Sequence, residues 1–487
     1  MEIYVVQPGD TLFRIAQRFG LSVQELIEVN RFPDPNKLVV GQAILIPGRG
    51  VEPLRYKVVS GDTLYRIAQL FGTTVQAIVN ANNISDPNRI DVGMELIIPG
   101  WTILEYTVRS GDTLWLISRR YNVSIELIAK VNNLIDPSRI FPGQTLIIPQ
   151  RGPVVGVKPT IETLVYIHPV NLSGLERTFT DIGDLLTYAA LFQFAVDGMG
   201  DFIRLRNVDG MVSLAREFQI QPLAVITNWA EGNFQPELAH AILADNIIRS
   251  RTIENLLQIL RRYNFSGVNV DFENMFPEDR GLYTDFIREL RDVLRAEGYL
   301  LTLAVAPKAA DLPTFPWVGA FDYAALGQLA DFIFIMTYEW GWIGGPPMAI
   351  APINQVRRVI EYAVSQIPSE KIMEGVPLYG YDWTLPDTPE NLAVALNLVE
   401  IYDLAFERGS NINYQQITES PWFRYINAGG IEHEVWFEDA RSVRAKYELI
   451  LEFNLRGVGY WSYINEPYGF PQNWALLRDL FTVAKSR

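Results

Sequence analysis

The sequence predicts an α/β protein, in which a (β/α)8 barrel with an inserted α+β subdomain follows three small βααβ domains. Three observations lead to this prediction. One motif recurs three times in the first 150 residues, apolar strand patterns alternate with helical patterns from residue 160 onward, and one of these strands ends in two carboxylates. At 487 residues the chain is also too long for a single hydrophobic core, so several domains are expected.

Each copy of the repeated motif begins with a short strand, followed by Gly-Asp-Thr-Leu and a helix. A second helix leads to an Asp-Pro-Asn or Asp-Pro-Ser segment, and a closing strand ends in Ile-Pro. The three predicted domains are residues 1–48, 55–100 and 104–150, with short joins near 48–53 and 100–103.

This order of elements resembles the LysM domain, a family that binds N-acetylglucosamine chains of peptidoglycan or chitin. The resemblance implies a groove between the loop after the first strand and the loop before the last strand. The alternative is that the Asp and Thr side chains only cap the first helix and that Asp-Pro-Asn is only a turn. Three copies would raise avidity for a repeating polymer. The implicated residues are Asp10, Thr11, Asp34, Pro35, Asp62, Thr63, Asp86, Pro87, Asp112, Thr113, Asp136 and Pro137.

A Gly- and Pro-containing linker is predicted at 151–160, and the barrel at 161–487. Eight strands joined by helical crossovers fit a TIM-type barrel, in which functional residues gather at the C-terminal ends of the strands. The segment from about 384 to 454 is too long for one crossover, so it is predicted to be the inserted subdomain. The barrel strands are predicted at residues 163–167, 189–195, 223–227, 268–273, 300–306, 331–336, 373–378 and 457–460.

The net charge of −15 is concentrated in the second part of the chain. Residues 1–150 carry 14 basic and 14 acidic residues, which leaves 27 basic and 42 acidic residues beyond them. An acidic barrel repels phosphate backbones, so we expect no nucleic acid as its partner and an uncharged polymer instead.

The chain contains no cysteine, which excludes disulfides, thiolate zinc sites and a cysteine nucleophile. Its three histidines, His168, His240 and His433, are scattered singly, so each is interpreted as structural and neither a metal nor a cofactor is expected. No stretch approaches a membrane span, and no secretory signal is visible after Met1. We expect a monomer without a membrane partner.

The stretch 267–273 reads as a buried strand in which Asn269, Asp271 and Glu273 alternate with apolar residues. Because successive side chains of a strand point to opposite faces, these three polar side chains share one face. Parallel strands are covered on both faces, so a polar row there lines an interior or a cleft. A solvated strand face is the alternative for an isolated pattern, but helical patterns on both sides favour a βα unit.

Polar and aromatic residues also cluster at the other predicted strand ends. Aromatic faces stack on the apolar faces of sugar rings, and amphipathic aromatic side chains tolerate an open cleft. The pattern therefore favours a carbohydrate cleft over a plain core. These residues include Gln193, Asn228, Trp229, Lys308, Tyr338, Glu339, Trp340, Tyr379, Tyr381, Trp383, Trp461 and Tyr463.

The strand ends resemble glycoside hydrolase family 18, the chitinase-like barrels, over about residues 160–487. The family pattern D-G-x-D-x-D-x-E appears as S-G-V-N-V-D-F-E at 266–273, and the family M-x-Y-D appears as M-T-Y-E at 336–339. The resemblance implies that Glu273 donates a proton to the glycosidic oxygen, Asp271 steers the substrate acetamide and Tyr338 binds the acetamide carbonyl. Predicted substrate-binding residues are Asn269, Gln193, Asn228, Glu339, Tyr379, Tyr381, Trp383 and Trp461, the last as the floor of the cleaved-sugar subsite.

The sequence departs from the family pattern at Ser266, Asn269 and Glu339, each of which replaces a family Asp. An asparagine cannot share a proton with Asp271, although its amide can donate to that carboxylate and removes a like charge beside it. Asp271 is therefore expected to ionise more easily, and the departure concerns the proton-switching step.

The carboxylate spacing alone does not choose a stereochemical outcome. Asp271 and Glu273 are two residues apart on one strand, so their Cα atoms lie roughly 6–7 Å apart. Carboxyl pairs lie at about 5 Å in retaining glycosidases and at about 6.5–9.5 Å in inverting ones. The family resemblance implies substrate-assisted retention, in which the 2-acetamido oxygen of the substrate is the nucleophile.

The combination of LysM repeats with this variant barrel resembles the spore cortex-lytic N-acetylglucosaminidases of endospore-forming bacteria. That resemblance implies hydrolysis of the bond after N-acetylglucosamine in cortex peptidoglycan during germination, and placement in the spore coat or cortex or in the cell wall. A chitinase is the alternative within enzymes. Alternatives from other classes are a non-catalytic, lectin-like glycan-binding protein and a structural coat component.

Overall fold

The computed structural model describes residues 1–32, 34–47, 53–82, 84, 86–87, 89–108, 112–121, 123–134, 136–151, 158–168, 171–203, 206–463 and 471–485. The chain forms two compact units. The first comprises Met1–Pro47, Thr160–Arg478 and Val483–Arg487, and the second comprises Gly48–Pro159 with Asp479–Thr482. The first repeat therefore belongs to the same compact unit as the barrel.

Repeat 1 has the predicted order of strand, helix, helix and strand. Its elements are β1 (Glu2–Val5), α1 (Leu12–Phe19), α2 (Val23–Asn30) and β2 (Ala43–Ile46). β1 pairs antiparallel with β2. Thr11 caps α1 by accepting a hydrogen bond from the backbone N–H of Arg14, and Ser22 forms a capping box with Glu25 at the start of α2. The helices cover the strands over a small core of their own.

Repeats 2 and 3 form the second unit around one shared sheet. Their elements are β3 (Pro53–Lys57), α3 (Leu64–Phe71), α4 (Val75–Asn82), β4 (Glu95–Thr107), α5 (Leu114–Tyr121), α6 (Ile125–Val131) and β5 (Thr145–Arg151). β4 closes repeat 2, continues into repeat 3 and pairs antiparallel with both β3 and β5. The two repeats consequently share one hydrophobic core.

The join predicted at 100–103 lies inside β4. Trp101 and Thr102 are buried, and the indole of Trp101 donates a hydrogen bond of 2.7 Å to the carbonyl oxygen of Phe71 while packing edge-on against its ring. Burial of this tryptophan keeps the chain extended where Gly100 suggested a break. Of the linker predicted at 151–160, Arg151 ends β5, and residues 152–157 lie outside the described part of the chain.

The remaining chain forms the barrel with its insertion. In order, the strands are β6 (Thr160–Ile167), β7 (Tyr188–Ala195), β8 (Gln221–Thr227), β9 (Trp229–Ala230), β10 (Asn233–Phe234), β11 (Gly267–Asp271), β12 (Leu300–Val305), β13 (Phe332–Ile335), β14 (Ile372–Pro377), β15 (Gly380–Thr384), β16 (Val394–Leu396), β17 (Asn413–Gln415), β18 (Ser420–Ile426), β19 (Glu432–Trp436), β20 (Gly457–Tyr463) and β21 (Thr482–Val483). The helices are α7 (Leu172–Ile182), α8 (Val208–Glu217), α9 (Pro236–Ala244), α10 (Asn246–Tyr263), α11 (Arg280–Ala296), α12 (Tyr323–Leu329), α13 (Ile353–Gln366), α14 (Leu398–Glu407), α15 (Ala440–Phe453) and α16 (Pro471–Leu480).

Eight parallel strands close the barrel in the order β6, β7, β8, β11, β12, β13, β14 and β20, and β20 pairs with β6. The predicted (β/α)8 architecture is confirmed. The strand predicted at 268–273 ends at Asp271. Phe272 then turns into the core and stacks on Phe286 of α11, with ring centroids 5.9 Å apart. Glu273 thus lies in the loop at the C-terminal mouth of the barrel.

The predicted insertion is a five-stranded antiparallel sheet, in the order β16, β15, β19, β18 and β17, accompanied by α14. It begins at Gly380, slightly before the predicted residue 384, because β15 pairs with β19 from Tyr381 onward. Within the described ranges, no helix has the length and hydropathy of a membrane span.

Candidate active site

Glu273 is held at the barrel mouth by Asn228, which directly follows β8. The backbone N–H of Glu273 donates to Asn228 Oδ1 at 2.9 Å, and Asn228 Nδ2 donates to the carbonyl oxygen of Glu273 at 2.8 Å. Asn228 itself is fully buried. The two hydrogen bonds fix the backbone of Glu273. They do not involve its carboxyl group, which is left for the chemistry.

Burial raises the pKa of Glu273 well above its usual range, and the negative charges of Asp271 and Glu339 raise it further. The carboxyl group therefore holds its proton more tightly than an exposed glutamate does. A protonated carboxylic acid in a cleft is what general acid catalysis of glycoside cleavage requires.

Asp271 is 3% exposed at the end of β11, and burial raises its pKa to about 7. Its Oδ1 is buried, without a hydrogen-bond partner among the described residues. The replacement of a family Asp by Asn269 was expected to make Asp271 ionise more easily. Burial acts in the opposite direction and is the dominant influence on the pKa of Asp271. The carboxyl group is poised to exist in either protonation state near neutral pH.

The side chain of Asn269, which the sequence suggested as a donor to Asp271, is engaged elsewhere. Asn269 Nδ2 donates to Thr302 Oγ1 at 2.9 Å, and Asn269 Oδ1 accepts from the hydroxyl of Tyr166 at 2.8 Å. All three side chains are buried inside the barrel. This network ties β6, β11 and β12 together beneath Asp271, and it carries no charge.

Tyr166 and Thr302 were not predicted as site residues. A signal existed for Tyr166, because alternation along β6 places residues 164 and 166 on the same face, toward the barrel axis. Thr302 offered no such signal, since a single threonine in an apolar strand has several ordinary explanations.

Tyr338 follows β13 and is 6% exposed. Gly375 of the neighbouring β14 makes room for it, because a Cβ at Gly375 would lie 2.9 Å from Tyr338 Cε1. Burial raises the pKa of the Tyr338 hydroxyl well above its usual value, and Tyr166, Asp271 and Glu273 add to the rise. The hydroxyl therefore remains a hydrogen-bond donor.

Glu339 adopts a left-handed conformation with φ of 67°. Its Oε1 accepts hydrogen bonds from the hydroxyls of Tyr379 and Tyr381, the latter at 2.9 Å. Burial raises the pKa of Glu339, and the two tyrosine hydrogen bonds oppose this rise. The Glu that replaces a family Asp therefore orients two aromatic side chains and adds negative potential near Glu273.

Trp461 at the end of β20 is half-buried and rests on an aromatic base formed by Tyr166, His168 and Phe192, with ring centroids 5.3, 5.4 and 4.8 Å away. Gln193 lies beside this base and accepts a hydrogen bond of 2.6 Å from Thr227. A supported indole is a platform on which the apolar face of a sugar ring can stack.

Trp383 was predicted to bind substrate in the cleft, but the structure places it in the core. Its side chain is fully buried, and its indole donates to the carbonyl oxygen of Gly345 at 2.7 Å. The ring packs edge-on against Tyr381, with centroids 5.4 Å apart. Trp383 supports Tyr381 from beneath because the insertion strand β15 carries it into the core.

The predicted LysM side chains make local contacts. Asp10, Asp62 and Asp112 accept hydrogen bonds from Tyr4, Tyr56 and Tyr106 at 2.6, 2.7 and 2.5 Å. Thr11, Thr63 and Thr113 cap the following helices. Asp34 and Asp136 each accept from the backbone N–H two residues later at 2.9 Å. These contacts are those of caps and turns, while Pro87 and Pro137 are exposed.

Across the described residues, no group of three His, Cys, Asp or Glu side chains could hold a metal ion. His240 contacts Asp279 at 2.7 Å, and His433 contacts Asp382 and Asn427, both at 3.0 Å. His168 lies in the aromatic base under Trp461, where burial lowers its pKa.

Comparison with family models agrees with this geometry. The model of glycosyl hydrolases family 18 matches residues 165–465. The LysM domain model matches residues 4–47, 56–99 and 106–149.

Comparison with known proteins gives relatives over nearly the whole chain. The cortical fragment-lytic enzyme of Bacillus subtilis (strain 168) is 44% identical over 88% of this chain and 98% of its own length. The putative sporulation-specific glycosylase YdhD of the same organism is 34% identical over 100% of both chains.

Solved structures with the same fold include the spore cortex-lytic enzyme SleL of Bacillus cereus, with a TM-score of 0.75, 34% identity and 99% of both chains covered. A chitinase from Chromobacterium violaceum has a TM-score of 0.59 and 27% identity, covering 65% of this chain and 99% of that one.

Proposed function

Because the chain belongs to glycosyl hydrolases family 18 and carries three LysM repeats, we propose that it hydrolyses the bond after N-acetylglucosamine in spore cortex peptidoglycan during germination. The observation that carries the proposal is the placement of Glu273, whose pKa is raised by burial, with Asp271 and Tyr338 at the barrel mouth. The relatives named as cortex-lytic enzymes support cortex as the substrate.

The first chemical step would use the substrate's own nucleophile. The 2-acetamido oxygen attacks the anomeric carbon, the bond from that carbon to the leaving oxygen breaks, and the Glu273 proton passes to the leaving oxygen. Asp271 as a carboxylate would accept the acetamide N–H, and the Tyr338 hydroxyl would donate to the acetamide oxygen. Both contacts hold the nucleophile in line with the bond that breaks.

In the second step, water would attack the anomeric carbon and transfer its proton to the Glu273 carboxylate. As the bond to water forms, the bond from the anomeric carbon to the acetamide oxygen breaks and the neutral acetamide is regenerated, so the product keeps the β configuration. The positive charge of the cyclised intermediate is favourable beside Asp271 and Glu339, because both carboxylates are withdrawn from water.

The uncharged network of Asn269, Tyr166 and Thr302 would serve this mechanism by shaping the floor beneath Asp271. It cannot take up a proton from Asp271 in the way a second carboxyl group could. The proton switch of this chain would therefore involve only Asp271 and Glu273.

Glycan binding by the LysM repeats would hold the enzyme on the insoluble cortex, and we propose a monomer located in the spore coat or cortex or in the cell wall. The acidic barrel argues against nucleic acid as a partner. A repeat of modest affinity gains residence time when another repeat binds the same polymer.

The decisive experiment is mass spectrometry of cortex digested by the purified chain. A new reducing end on N-acetylglucosamine supports the proposal, and a new reducing end on muramic acid contradicts it. The matched control is Glu273→Gln, which should release fragments at least about 100-fold more slowly. Lack of any turnover by the unmodified chain on both cortex and chitin would favour a lectin-like protein.

Chitin is the second candidate substrate, since the barrel is also similar to the Chromobacterium violaceum chitinase. Parallel digestion of chitin oligomers separates the two candidates. Faster turnover of cortex fragments than of chitin oligomers supports the cortex assignment, and the reverse order supports a chitinase.

A further inference from the structure

Repeat 1 is packed against the barrel and its insertion through the loop that precedes β2. The backbone N–H of Ile412 donates to the carbonyl oxygen of Val40 at 2.9 Å, and the Arg441 guanidinium donates to the carbonyl oxygen of Gly41 at 3.2 Å. Lys37 forms an ion pair with Asp403 at 3.0 Å. One backbone hydrogen bond and two side-chain contacts therefore join this loop to the barrel and its insertion.

A second set of contacts lies at the end of α2. Gln472 Nε2 donates to Asn30 Oδ1 at 2.8 Å and to the carbonyl oxygen of Ala43 at 2.9 Å. Asn30, Ala43 and Gln472 are all buried. Arg31 also forms an ion pair with Asp181 of α7 at 2.6 Å. Repeat 1 therefore shares a buried, hydrogen-bonded interface with the catalytic unit.

The equivalent positions of repeats 2 and 3 are exposed. Ala43 of repeat 1 is replaced by Glu95 and Thr145, and both of these are exposed. Val39 of repeat 1 is 3% exposed, whereas Phe141 of repeat 3 is 65% exposed. The same loop is thus apolar and covered in repeat 1 but polar or open in the other two.

The closest approach is at Gly41. A Cβ on this residue would lie 1.9 Å from the carbonyl oxygen of Ile412. Any residue other than glycine would therefore force one of the two backbones to shift. The matching residues Gly93 and Gly143 have nearly the same φ, 91° and 88° against 87°, but a Cβ on either would meet nothing closer than 4.0 Å. The glycine is needed for the turn in every repeat, and for docking only in repeat 1.

We infer that repeat 1 is a fixed structural part of the catalytic unit and does not bind glycan, so that wall binding rests on repeats 2 and 3. The inference rests on the proposed function for the identity of the ligand. Its physical basis is that the insertion covers the end of the loop next to β2, at Val39 and Gly41. The LysM resemblance places this loop beside the groove. The number of glycan-binding repeats is then two, although the sequence contains three.

The first test compares Gly41→Ala, Gly93→Ala and Gly143→Ala in the full chain. All three alanines carry the same backbone strain from positive φ, but only the first meets Ile412. The readout is hydrolysis of soluble cortex fragments that remains after heating, which reports unfolding of the barrel. We expect Gly41→Ala to lower the midpoint by about 4 °C or more and the two control variants to leave it unchanged. Equal midpoints for all three would overturn the inference.

The second test uses the absence of cysteine from the chain. Val39→Cys, Asp91→Cys and Phe141→Cys place one thiol at the equivalent position of each repeat, in a Glu273→Gln background that prevents cleavage. Maleimide should label the first at least about 100-fold more slowly than the other two, since Val39 is buried. Similar labelling rates at all three thiols would overturn the docked arrangement.

Addition of excess soluble cortex fragments completes the second test. Labelling should slow at Asp91→Cys and Phe141→Cys and remain unchanged at Val39→Cys. Fragment-dependent protection of Val39→Cys would show that repeat 1 binds glycan and would refute the inference. No protection at any site would instead refute wall binding in the proposed function, while the labelling rates without fragments would still decide whether repeat 1 is docked.

Discussion

Asn228 clamps Glu273 by accepting a hydrogen bond from its N–H and donating one to its carbonyl oxygen, at 2.9 and 2.8 Å. The loop after β8 therefore determines where the proton donor after β11 is presented. A residue that acts in this way is a positioning residue, because its side chain meets the backbone of Glu273.

Asn228→Ala should lower kcat for cortex fragments by about 100-fold, since a displacement near 1 Å is costly in a catalytic group. Because the substrate contacts remain, KM should change little. Steady-state kinetics measure kcat and KM separately. The matched control is Asn233→Ala on the exposed hairpin of β9 and β10, which should leave both constants unchanged. A rise in KM alone would argue against a positioning role.

Glu273→Gln should reduce hydrolysis by about 100- to 10,000-fold, because glutamine cannot donate the proton that the leaving oxygen needs. Binding of intact glycan should persist, since a proton donor contributes little to ground-state affinity. Single-turnover kinetics and equilibrium binding measure the two effects separately. Retained turnover would rule out Glu273 as the acid.

The pH dependence should reflect the Asp271 and Glu273 pair. Burial raises the pKa of Asp271 to about 7, and that of Glu273 lies well above its usual range. The productive form has an ionised Asp271 and a protonated Glu273, so kcat/KM should rise with pH through about 7 and fall again when Glu273 loses its proton. Asp271→Asn should remove the rising limb. A flat profile between about pH 5 and 7 would contradict the assignment.

Glu374 of β14 should make the protein less stable as pH rises. It is fully buried, neither carboxylate oxygen has a partner in the described part of the chain, and burial raises its pKa to about 8, with Glu438 adding to the rise and Lys446 opposing it. The folded state thus holds the proton more tightly than the unfolded state. The resulting stability is full below about pH 4.5 and is lost as pH rises through about 8.

Glu374→Gln should therefore match the unmodified chain at about pH 4.5 and exceed its free energy of unfolding at about pH 8.5 by up to about 4 kcal/mol. Urea denaturation at the two pH values measures the difference. The exposed Glu217→Gln is the control and should show no pH-dependent gain. A Glu374→Gln variant less stable than the parent at the higher pH would contradict the argument.

The barrel was predictable because its strands are short apolar runs between helical patterns, and the acid pair was predictable because it ends one such run. The network around Asn269 was not, since it joins Tyr166 and Thr302 from strands far apart in sequence. Local pattern also could not reveal that Trp383 is fully buried, because its environment is assembled by β19 and the loop at Gly345.

One difference between the sequences of the three repeats is explained by the docking of repeat 1 on the catalytic unit. Ala43 stands where the other repeats have Glu95 and Thr145, a difference that alone predicts nothing. Its meaning depends on Gln472, which binds the carbonyl oxygen of Ala43 across a separation of 429 residues. Contacts at such separations are not encoded in any local periodicity.

The division of the chain into units also affects what a protease could release. The chain leaves repeat 1 after Pro47 and enters the barrel at Thr160, so repeats 2 and 3 are bonded at both ends to one folded unit. A cut between residues 47 and 53 leaves them bonded to the barrel. A cut between 151 and 160 leaves them bonded to repeat 1, which the barrel retains without a covalent bond. Detaching them therefore requires two cleavages, or one cleavage together with undocking of repeat 1.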